Sequence, residues 1–153
     1  MLLPKRINNE SDDYALYQFI RPGKASCNYG LLYKREMVIF DPSRNIEFYQ
    51  SFANENDAKI VRIFETHLQA DYISGSKQIS LVTGAEILAH AGDFSEASFR
   101  FNQVNEGDTY TIGSNGPEIR VIHTPGHTPG STRLLFTSPS PRDATLSRMP
   151  SSA

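Results

Sequence analysis

Short strand-like runs that contain apolar residues dominate the first part of the chain. Residues 14–21 alternate loosely between apolar and polar positions, and residues 28–34 and 36–40 are two further predicted strands. The last two runs lie so close together that we expect them to pair as a hairpin. Asp41-Pro42 follows the third run and ends it, because proline has no amide hydrogen for the strand ladder.

Helical spacing of apolar residues follows this hairpin and then alternates with strand-like runs. Residues 45–56 and 74–83 are predicted helices, with Ser43 or Asn45 as the N-cap of the first and Ser74 as the N-cap of the second. The predicted strands that follow or separate them are residues 58–65, 86–89, 109–112, 118–122 and 131–136. A meander of strands followed by alternating helices and strands predicts a layered α/β fold, whose sheet packs one face on helices.

The composition sets broad limits on the partners of such a fold. With 153 residues, of which 39% are hydrophobic and 21% are charged, the chain suits one domain with a packed core. The formal net charge is −2 and no block of basic residues is present, so we expect neither nucleic acid nor a membrane as a partner. The single cysteine, Cys27, excludes an internal disulfide framework and is interpreted as a strand-edge residue. A lone cysteine fits a reducing compartment, and we expect a cytoplasmic or mitochondrial protein.

Two histidine-bearing stretches carry the candidate chemistry. His67 directly follows the strand at residues 58–65, and His127 lies in a His-Thr-Pro-Gly-His turn after the strand at residues 118–122. Loops at the ends of strands can bring such imidazoles to one rim of a sheet. A mononuclear catalytic metal site needs about three convergent protein ligands. We therefore predict His67, His127 and Asp71, a carboxylate in the loop after His67, as metal ligands.

The other histidines and one tyrosine are interpreted differently. His123 precedes the turn and is expected to be packed or hydrogen-bonded, and His90, which has no clustered partner in the sequence, is expected to be structural. Tyr72 could hydrogen-bond a substrate. The alternative is that its aromatic ring packs under the loop, which the sequence does not distinguish from the first role. Gly126 can adopt a positive φ, and the prolines beside it are expected to stiffen the turn.

Taken in order, these stretches resemble the metallo-β-lactamase superfamily, in its persulfide dioxygenase and glyoxalase II-like branch. The motifs that carry the resemblance are the strand ending in Asp41-Pro42, the loop Thr66-His67-x-x-x-Asp71 with Ser74-Gly75, and the stretch from His123 to Gly130. The resemblance implies an α/β fold that is an incomplete αββα sandwich. The chain departs from the family pattern at Gln69 and Tyr72, where the family has histidines, and it lacks the family's later Thr-Gly-Asp aspartate.

The resemblance implies two reactions, and the departures favour one of them. Loss of two histidines breaks the dinuclear zinc set of a glyoxalase II-like thioester hydrolase, since an amide oxygen is a poor substitute for imidazole on zinc. A mononuclear Fe(2+) persulfide dioxygenase needs two histidines and one aspartate, and His67 and His127 match its histidines. The favoured function is therefore oxidation of a glutathione-type persulfide, with Asp71 and Tyr72 as candidate catalytic residues. The alternatives are the Zn2+ hydrolase and a non-catalytic binding protein of the same fold.

Composition also predicts the boundaries of the domain. Residues 1–13 are polar and are expected to be flexible, and residues 14–136 are expected to form a partial metallo-β-lactamase-like domain. Residues 137–153 are rich in serine and proline without an apolar period, which predicts a disordered or non-native tail. Because the composition changes abruptly after Phe136, we expect a C-terminal truncation. Because the later aspartate is missing, we expect the 153-residue chain itself to bind metal weakly and to be inactive.

Overall fold

The computed structural model describes residues 1–24, 28–68 and 74–137. The described part of the chain forms two β-sheets, with helices on the outer face of the larger one. The predictions made for Cys27, Gln69, Asp71, Tyr72 and the tail beyond residue 137 lie outside the described residues.

The larger sheet has seven strands, which follow one another across the sheet in chain order. They are β1 (Leu3–Arg6), β2 (Ala15–Ile20), β3 (Asn28–Tyr33), β4 (Glu36–Phe40), β5 (Lys59–Glu65), β6 (Glu86–Ala89) and β7 (Asn102–Gln103). The strands from β1 to β4 pair in antiparallel fashion, and the pairs from β4 to β7 are parallel. This arrangement confirms the predicted meander followed by crossover connections.

Helices make the crossover connections on one face of this sheet. They are α1 (Ile46–Glu55), between β4 and β5, α2 (Ser76–Thr83), between β5 and β6, and the short α3 (Ala91–Phe94), after β6. Asn45 caps α1, since its side chain accepts a hydrogen bond from the Phe48 amide. Gly75, rather than the predicted Ser74, is the residue before α2, and it provides no side-chain cap. No helix in the described ranges is long and apolar enough to span a membrane.

A second sheet of three antiparallel strands covers the other face of the first. It consists of β8 (Thr109–Thr111), β9 (Glu118–His123) and β10 (Thr132–Thr137), with β9 in the centre. The second sheet confirms the two-sheet arrangement that the resemblance implies. The described residues thus form three successive layers, which are the helices, the larger sheet and the second sheet.

Alternation along the central strands fills two separate cores. In β4, Met37 and Ile39 point to the helix side, where they pack with Tyr49 of α1, whereas Val38 and Phe40 point between the two sheets. All of these side chains are buried. Burying a large apolar side chain stabilises a fold by roughly 1.5–3 kcal/mol. Because both faces of β4 are covered, the strand is a continuous apolar run rather than an alternating one.

The N-terminal residues, which are expected to be flexible because they are polar, include a strand of the larger sheet. β1 pairs with β2 along its whole length. Asn8 closes the connection between them, because its Oδ1 accepts a hydrogen bond from the Leu16 amide at 2.8 Å and its Nδ2 donates to the Tyr14 carbonyl at 2.8 Å. Polar contacts order this segment, and a hydrophobic pattern does not reveal them.

Candidate metal centre

The two histidine-bearing loops come from different sheets and meet at one end of the sandwich. Thr66 and His67 directly follow β5, and His127 lies between β9 and β10. The backbone joins the loops, because the Thr132 amide donates a hydrogen bond to the Thr66 carbonyl at 2.8 Å. Strand ends therefore position both histidines, as the sequence pattern predicts.

His67 and His127 lie side by side. Their ring centroids are 5.5 Å apart, and their ring planes are inclined by 73°. A metal ion bound by two imidazole nitrogens at about 2.1 Å would hold the ring centroids about 5 Å apart. His127 is exposed and His67 is half-buried. The pair therefore fits two of the ligands of a metal ion that is reached from solvent.

A buried carboxylate sets the orientation of His67 through Thr66. Asp41, directly after β4, accepts hydrogen bonds from the Thr66 amide at 2.7 Å and from the Thr66 hydroxyl at 2.6 Å. The same hydroxyl lies 2.9 Å from Nδ1 of His67. Because the hydroxyl gives its one proton to Asp41, it accepts from His67, and Nδ1 carries the ring proton. Nε2 is left with a lone pair, which is the form of histidine that binds metal.

Two carboxyl groups lie buried beneath the first loop. Burial raises the pKa of Asp41, although the hydrogen bonds from Thr66 oppose this rise. Burial also raises the pKa of Glu65 to about 7, and the nearby charge of Asp41 adds to the shift. Glu65 accepts hydrogen bonds from the hydroxyls of Ser74 and Ser76. Ser74 thus ties the far end of the loop to its beginning, and its Oγ also accepts a hydrogen bond from the amide of Ser76, the first residue of α2, at 3.0 Å.

The described residues supply two candidate ligands. They contain no group of three or more His, Cys, Asp or Glu side chains that could hold a metal ion. Asp71, the predicted third ligand, and Tyr72, the predicted substrate contact, lie outside the described residues, and their roles stay predictions. A catalytic metal site usually has three protein ligands and one open position.

The other two histidines, His90 and His123, form a pair of their own, which no clustering in the sequence indicates. The rings of His90 and His123 stack with centroids 4.2 Å apart and planes inclined by 14°. Nε2 of His123 lies 2.9 Å from the Pro129 carbonyl oxygen. Nδ1 of His90 accepts a hydrogen bond from the Gly92 amide at 3.0 Å. These contacts confirm that His123 is packed and hydrogen-bonded. Because the two rings are parallel, their nitrogens do not point to one shared position, as two ligands of one metal ion would.

The second loop depends on a different glycine from the one expected. Gly126 does not adopt a positive φ, and a Cβ there would meet nothing within 4 Å. A Cβ at Gly130 would lie 2.6 Å from the amide nitrogen of Asp93 and 2.8 Å from its Cγ. Gly130 is therefore the position at which close approach of another segment requires glycine.

A cleft of about 550 Å³ opens beside His67. Its lining combines apolar side chains, among them Leu68 and Phe99, with charged ones, among them Lys77 and Asp93. Ligand pockets in proteins typically measure about 300–1,000 Å³ and have a mostly apolar lining with a few polar groups. The cleft therefore suits a small molecule that reaches His67.

Two carboxylates at this site, those of Asp93 and Glu65, are not predicted from the sequence. Asp93, in α3, accepts hydrogen bonds from the Leu68 amide at 2.9 Å and from the Gly130 amide at 2.7 Å, and so contacts both loops. Glu65 joins the two ends of the first loop. A signal for Glu65 exists, since a charged residue there ends an otherwise apolar strand. Asp93 has no such local signal, because its partners are distant along the chain.

Comparisons with known proteins find relatives for part of the chain, although no family model matches it. A hydroxyacylglutathione hydrolase of Rhodospirillum rubrum is 40% identical over 77 residues, which are 50% of this chain and 29% of the relative. A metallo-β-lactamase crystal structure from Staphylococcus aureus subsp. aureus COL covers 82% of this chain and 38% of its own, with a TM-score of 0.75 and 26% identity.

A second solved structure has the same fold. The crystal structure of ETHE1 from Myxococcus xanthus covers 88% of this chain and 53% of its own, with a TM-score of 0.61 and 23% identity. The chain thus spans between 29% and 53% of the length of these three proteins.

Proposed function

Because this chain belongs to the metallo-β-lactamase superfamily, in its glyoxalase II- and ETHE1-like branch, we propose that its histidine loops serve a metal-dependent reaction on a glutathione derivative. In the finer form of the proposal, His67 and His127 hold one Fe(2+) for oxidation of a glutathione-type persulfide. The supporting observation is the convergence of the two rings, with 5.5 Å between centroids. Members of this superfamily are metal-dependent, usually with zinc or iron.

In this proposal His67 is the ligand that the fold prepares most fully. Thr66 holds its Nδ1 and leaves Nε2 as the binding atom. Partners of this kind fix the ring and raise the basicity of the ligand. Asp71 is proposed to bind or orient the metal, whereas the aspartate that the resemblance assigns to the iron is the later one, which this chain lacks. An iron(II) site of two histidines and one carboxylate supplies open positions for O2 and a thiol-derived substrate when the metal is bound.

The cleft beside His67 would bind and orient the substrate. Leu68 and Phe99 offer apolar surface to its carbon chain, and the exposed Lys77 offers a cation to one of its carboxylates. In the overall reaction, O2 and water convert the outer sulfur of the persulfide to sulfite, and the S–S bond breaks to release glutathione. The proposed partner is thus a small thiol or persulfide.

A glyoxalase II-like thioester hydrolase is the second candidate. The name of the Rhodospirillum rubrum relative, hydroxyacylglutathione hydrolase, supports it. Such an enzyme cleaves the C–S bond of a glutathione thioester with water. The number of bound ions separates the candidates, because the hydrolase would take two zinc ions per chain and the dioxygenase one iron. A protein that binds a glutathione derivative without turnover is the remaining alternative.

Thermal unfolding with and without added metal tests the proposed ligands. A ligand at 100 times its Kd stabilises the folded state by about 2.7 kcal/mol, so anaerobic Fe2+, or Zn2+, should raise the Tm of the chain. His67→Ala and His127→Ala should abolish this rise. His90→Asn is the matched control, since it removes a histidine of the stacked pair, keeps a side-chain acceptor for the Gly92 amide at the start of α3, and should keep the rise. An equal rise in all three variants would exclude the proposed ligands.

Turnover separates the two reactions. Because the 153-residue chain is expected to be inactive, the assay uses a chain extended to the length of its relatives. The iron-loaded form is given glutathione persulfide in an oxygen electrode, and the zinc-loaded form is given a glutathione thioester. Uptake of O2 with release of sulfite, at one iron per chain, would support the dioxygenase. Thioester cleavage at two zinc ions per chain would support the hydrolase. Metal binding with neither reaction would contradict both and favour a binding protein.

A further inference from the structure

Asp93 contacts both histidine loops with one carboxylate group. Its Oδ2 accepts hydrogen bonds from the Leu68 amide, at 2.9 Å, and from the Thr128 hydroxyl. Its Oδ1 accepts a hydrogen bond from the Gly130 amide at 2.7 Å. The first of these donors belongs to the loop after β5, and the other two belong to the loop between β9 and β10. The carboxylate therefore bridges segments that come from different sheets.

The donors to Oδ2 are the immediate neighbours of the candidate ligands. Leu68 directly follows His67, and Thr128 directly follows His127. Because one oxygen atom receives both hydrogen bonds, it restricts the distance between the two loops at the point where the histidines stand. The two histidine rings next to this bridge have centroids 5.5 Å apart.

The carboxyl group of Asp93 is held in its ionised form. Burial of this half-buried group would raise its pKa, but the hydrogen bonds from Thr128, Leu68 and Gly130 outweigh that effect and bring the pKa below its usual range. Hydrogen bonds to an ionised acceptor are roughly twice as strong as those between neutral groups. The bridge is therefore stronger than a set of ordinary loop contacts.

Close backbone packing brings Asp93 within reach of the second loop. A Cβ at Gly130 would lie 2.6 Å from the Asp93 amide nitrogen, and a Cβ at Gly92 would lie 3.1 Å from the Cα of Gly130. Gly130 therefore has to be glycine for α3 to approach, and Gly92 leaves little room for a larger residue. The contact depends on how α3 packs, and not only on one side-chain rotamer.

We infer that Asp93 is a positioning residue, which holds His67 and His127 at a separation at which both can bind one metal ion. This inference rests on the proposed metal site. The loops are also joined elsewhere, through the hydrogen bond of the Thr132 amide to the Thr66 carbonyl at 2.8 Å. Loss of the Asp93 carboxylate should therefore loosen the histidine-bearing part of the loops and leave the two sheets in place.

Asp93→Asn tests this role, because asparagine keeps the shape of the side chain but replaces one accepting oxygen with a donor. It cannot accept all three hydrogen bonds. Asp108→Asn is the matched control. Asp108 is also a half-buried aspartate whose Oδ2 accepts a hydrogen bond from a backbone amide, that of Asn105 at 2.8 Å, but it lies in the turn before β8.

Two measurements on the full chain report on the bridge. Titration with Co2+, followed by its visible absorption, gives metal affinity and coordination geometry. Loss of a partner that orients a ligand typically weakens metal binding about 10–100-fold. We expect this loss, with a changed absorption spectrum, in Asp93→Asn and not in Asp108→Asn. In the metal-free protein, hydrogen exchange should accelerate by about tenfold or more at the amides of Leu68 and Gly130 in Asp93→Asn alone.

Wild-type Co2+ affinity together with unchanged amide exchange in Asp93→Asn would overturn the inference. If the wild-type chain binds no Co2+, the proposed function fails, and exchange in the metal-free protein still decides whether Asp93 holds the loops. If Asp93→Asn does not fold, Thr128→Val removes a single donor to the same oxygen. An affinity for Co2+ lowered by about tenfold in that folded variant would support the inference, and an unchanged affinity would contradict it.

Discussion

Replacing Thr66 with valine removes one hydroxyl group and nearly preserves the shape of the side chain. That hydroxyl donates to Asp41 at 2.6 Å and accepts from Nδ1 of His67 at 2.9 Å. Asp41 is 6% exposed, so water has little access to replace the lost donor. A hydrogen bond to a charged group contributes about 1.5–3 kcal/mol. The Thr66 amide still donates to Asp41 in the variant, so we expect Thr66→Val to destabilise the metal-free fold by about 2 kcal/mol.

Thr66→Ser is the matched control, because it keeps the hydroxyl and loses one methyl group, which costs about 0.8 kcal/mol when buried. Urea denaturation of both metal-free variants measures the difference in the free energy of unfolding. Co2+ titration should show affinity lowered by about 10–100-fold in Thr66→Val, since the His67 ring is no longer fixed. The serine variant should bind like wild type. Equal stability and equal affinity in the two variants would refute this role of the hydroxyl.

Gly75→Ala should destabilise the fold by about 1–3 kcal/mol in urea denaturation, because its Cβ would overlap the carbonyl oxygen of Ser43. Gly126→Ala, with open space around its Cβ, should change stability by less than about 1 kcal/mol. Tyr49→Phe should cost about 1–3 kcal/mol at neutral pH, since the Ser43 amide loses the phenol oxygen to which it donates at 2.8 Å. Burial raises the pKa of Tyr49, so folding favours the neutral phenol. The stability that this preference contributes should persist below about pH 10, the ordinary tyrosine pKa, and be lost above it. Stability should therefore fall more steeply above about pH 10 in wild type than in Tyr49→Phe, in which Tyr110, whose pKa burial also raises, still titrates.

Elements with a strong hydrophobic pattern are the ones that the sequence predicts well. β4 and α1 follow their predicted bounds closely, because β4 is a continuous apolar run and α1 has apolar side chains at helical spacing. β1 is not predicted, because its residues are largely exposed and the connection to β2 is closed by the side chain of Asn8. A pattern of apolar residues carries no information on such polar contacts.

The same distinction applies to the candidate site. His67 and His127 are predictable as neighbours because each follows a strand, and strand ends share a rim. The stack of His90 on His123 and the bridge made by Asp93 join residues that are far apart along the chain. No regular spacing in the sequence links these residues, so only the packing of α3 against the second loop reveals the stack and the bridge.

The contacts that hold the two histidines join groups of the chain itself, and this predicts how metal binding is coupled to folding. Asp41 and Thr66 fix the His67 ring, and Asp93 bridges the residues after both histidines. In small zinc domains the metal supplies the free energy of folding, so they are unfolded without it. Here the two sheets have their own buried cores. Metal should therefore raise the Tm through binding alone and leave the far-ultraviolet circular dichroism spectrum unchanged. A large gain of secondary structure on adding Co2+ would show instead that the loops and sheets form only around the ion.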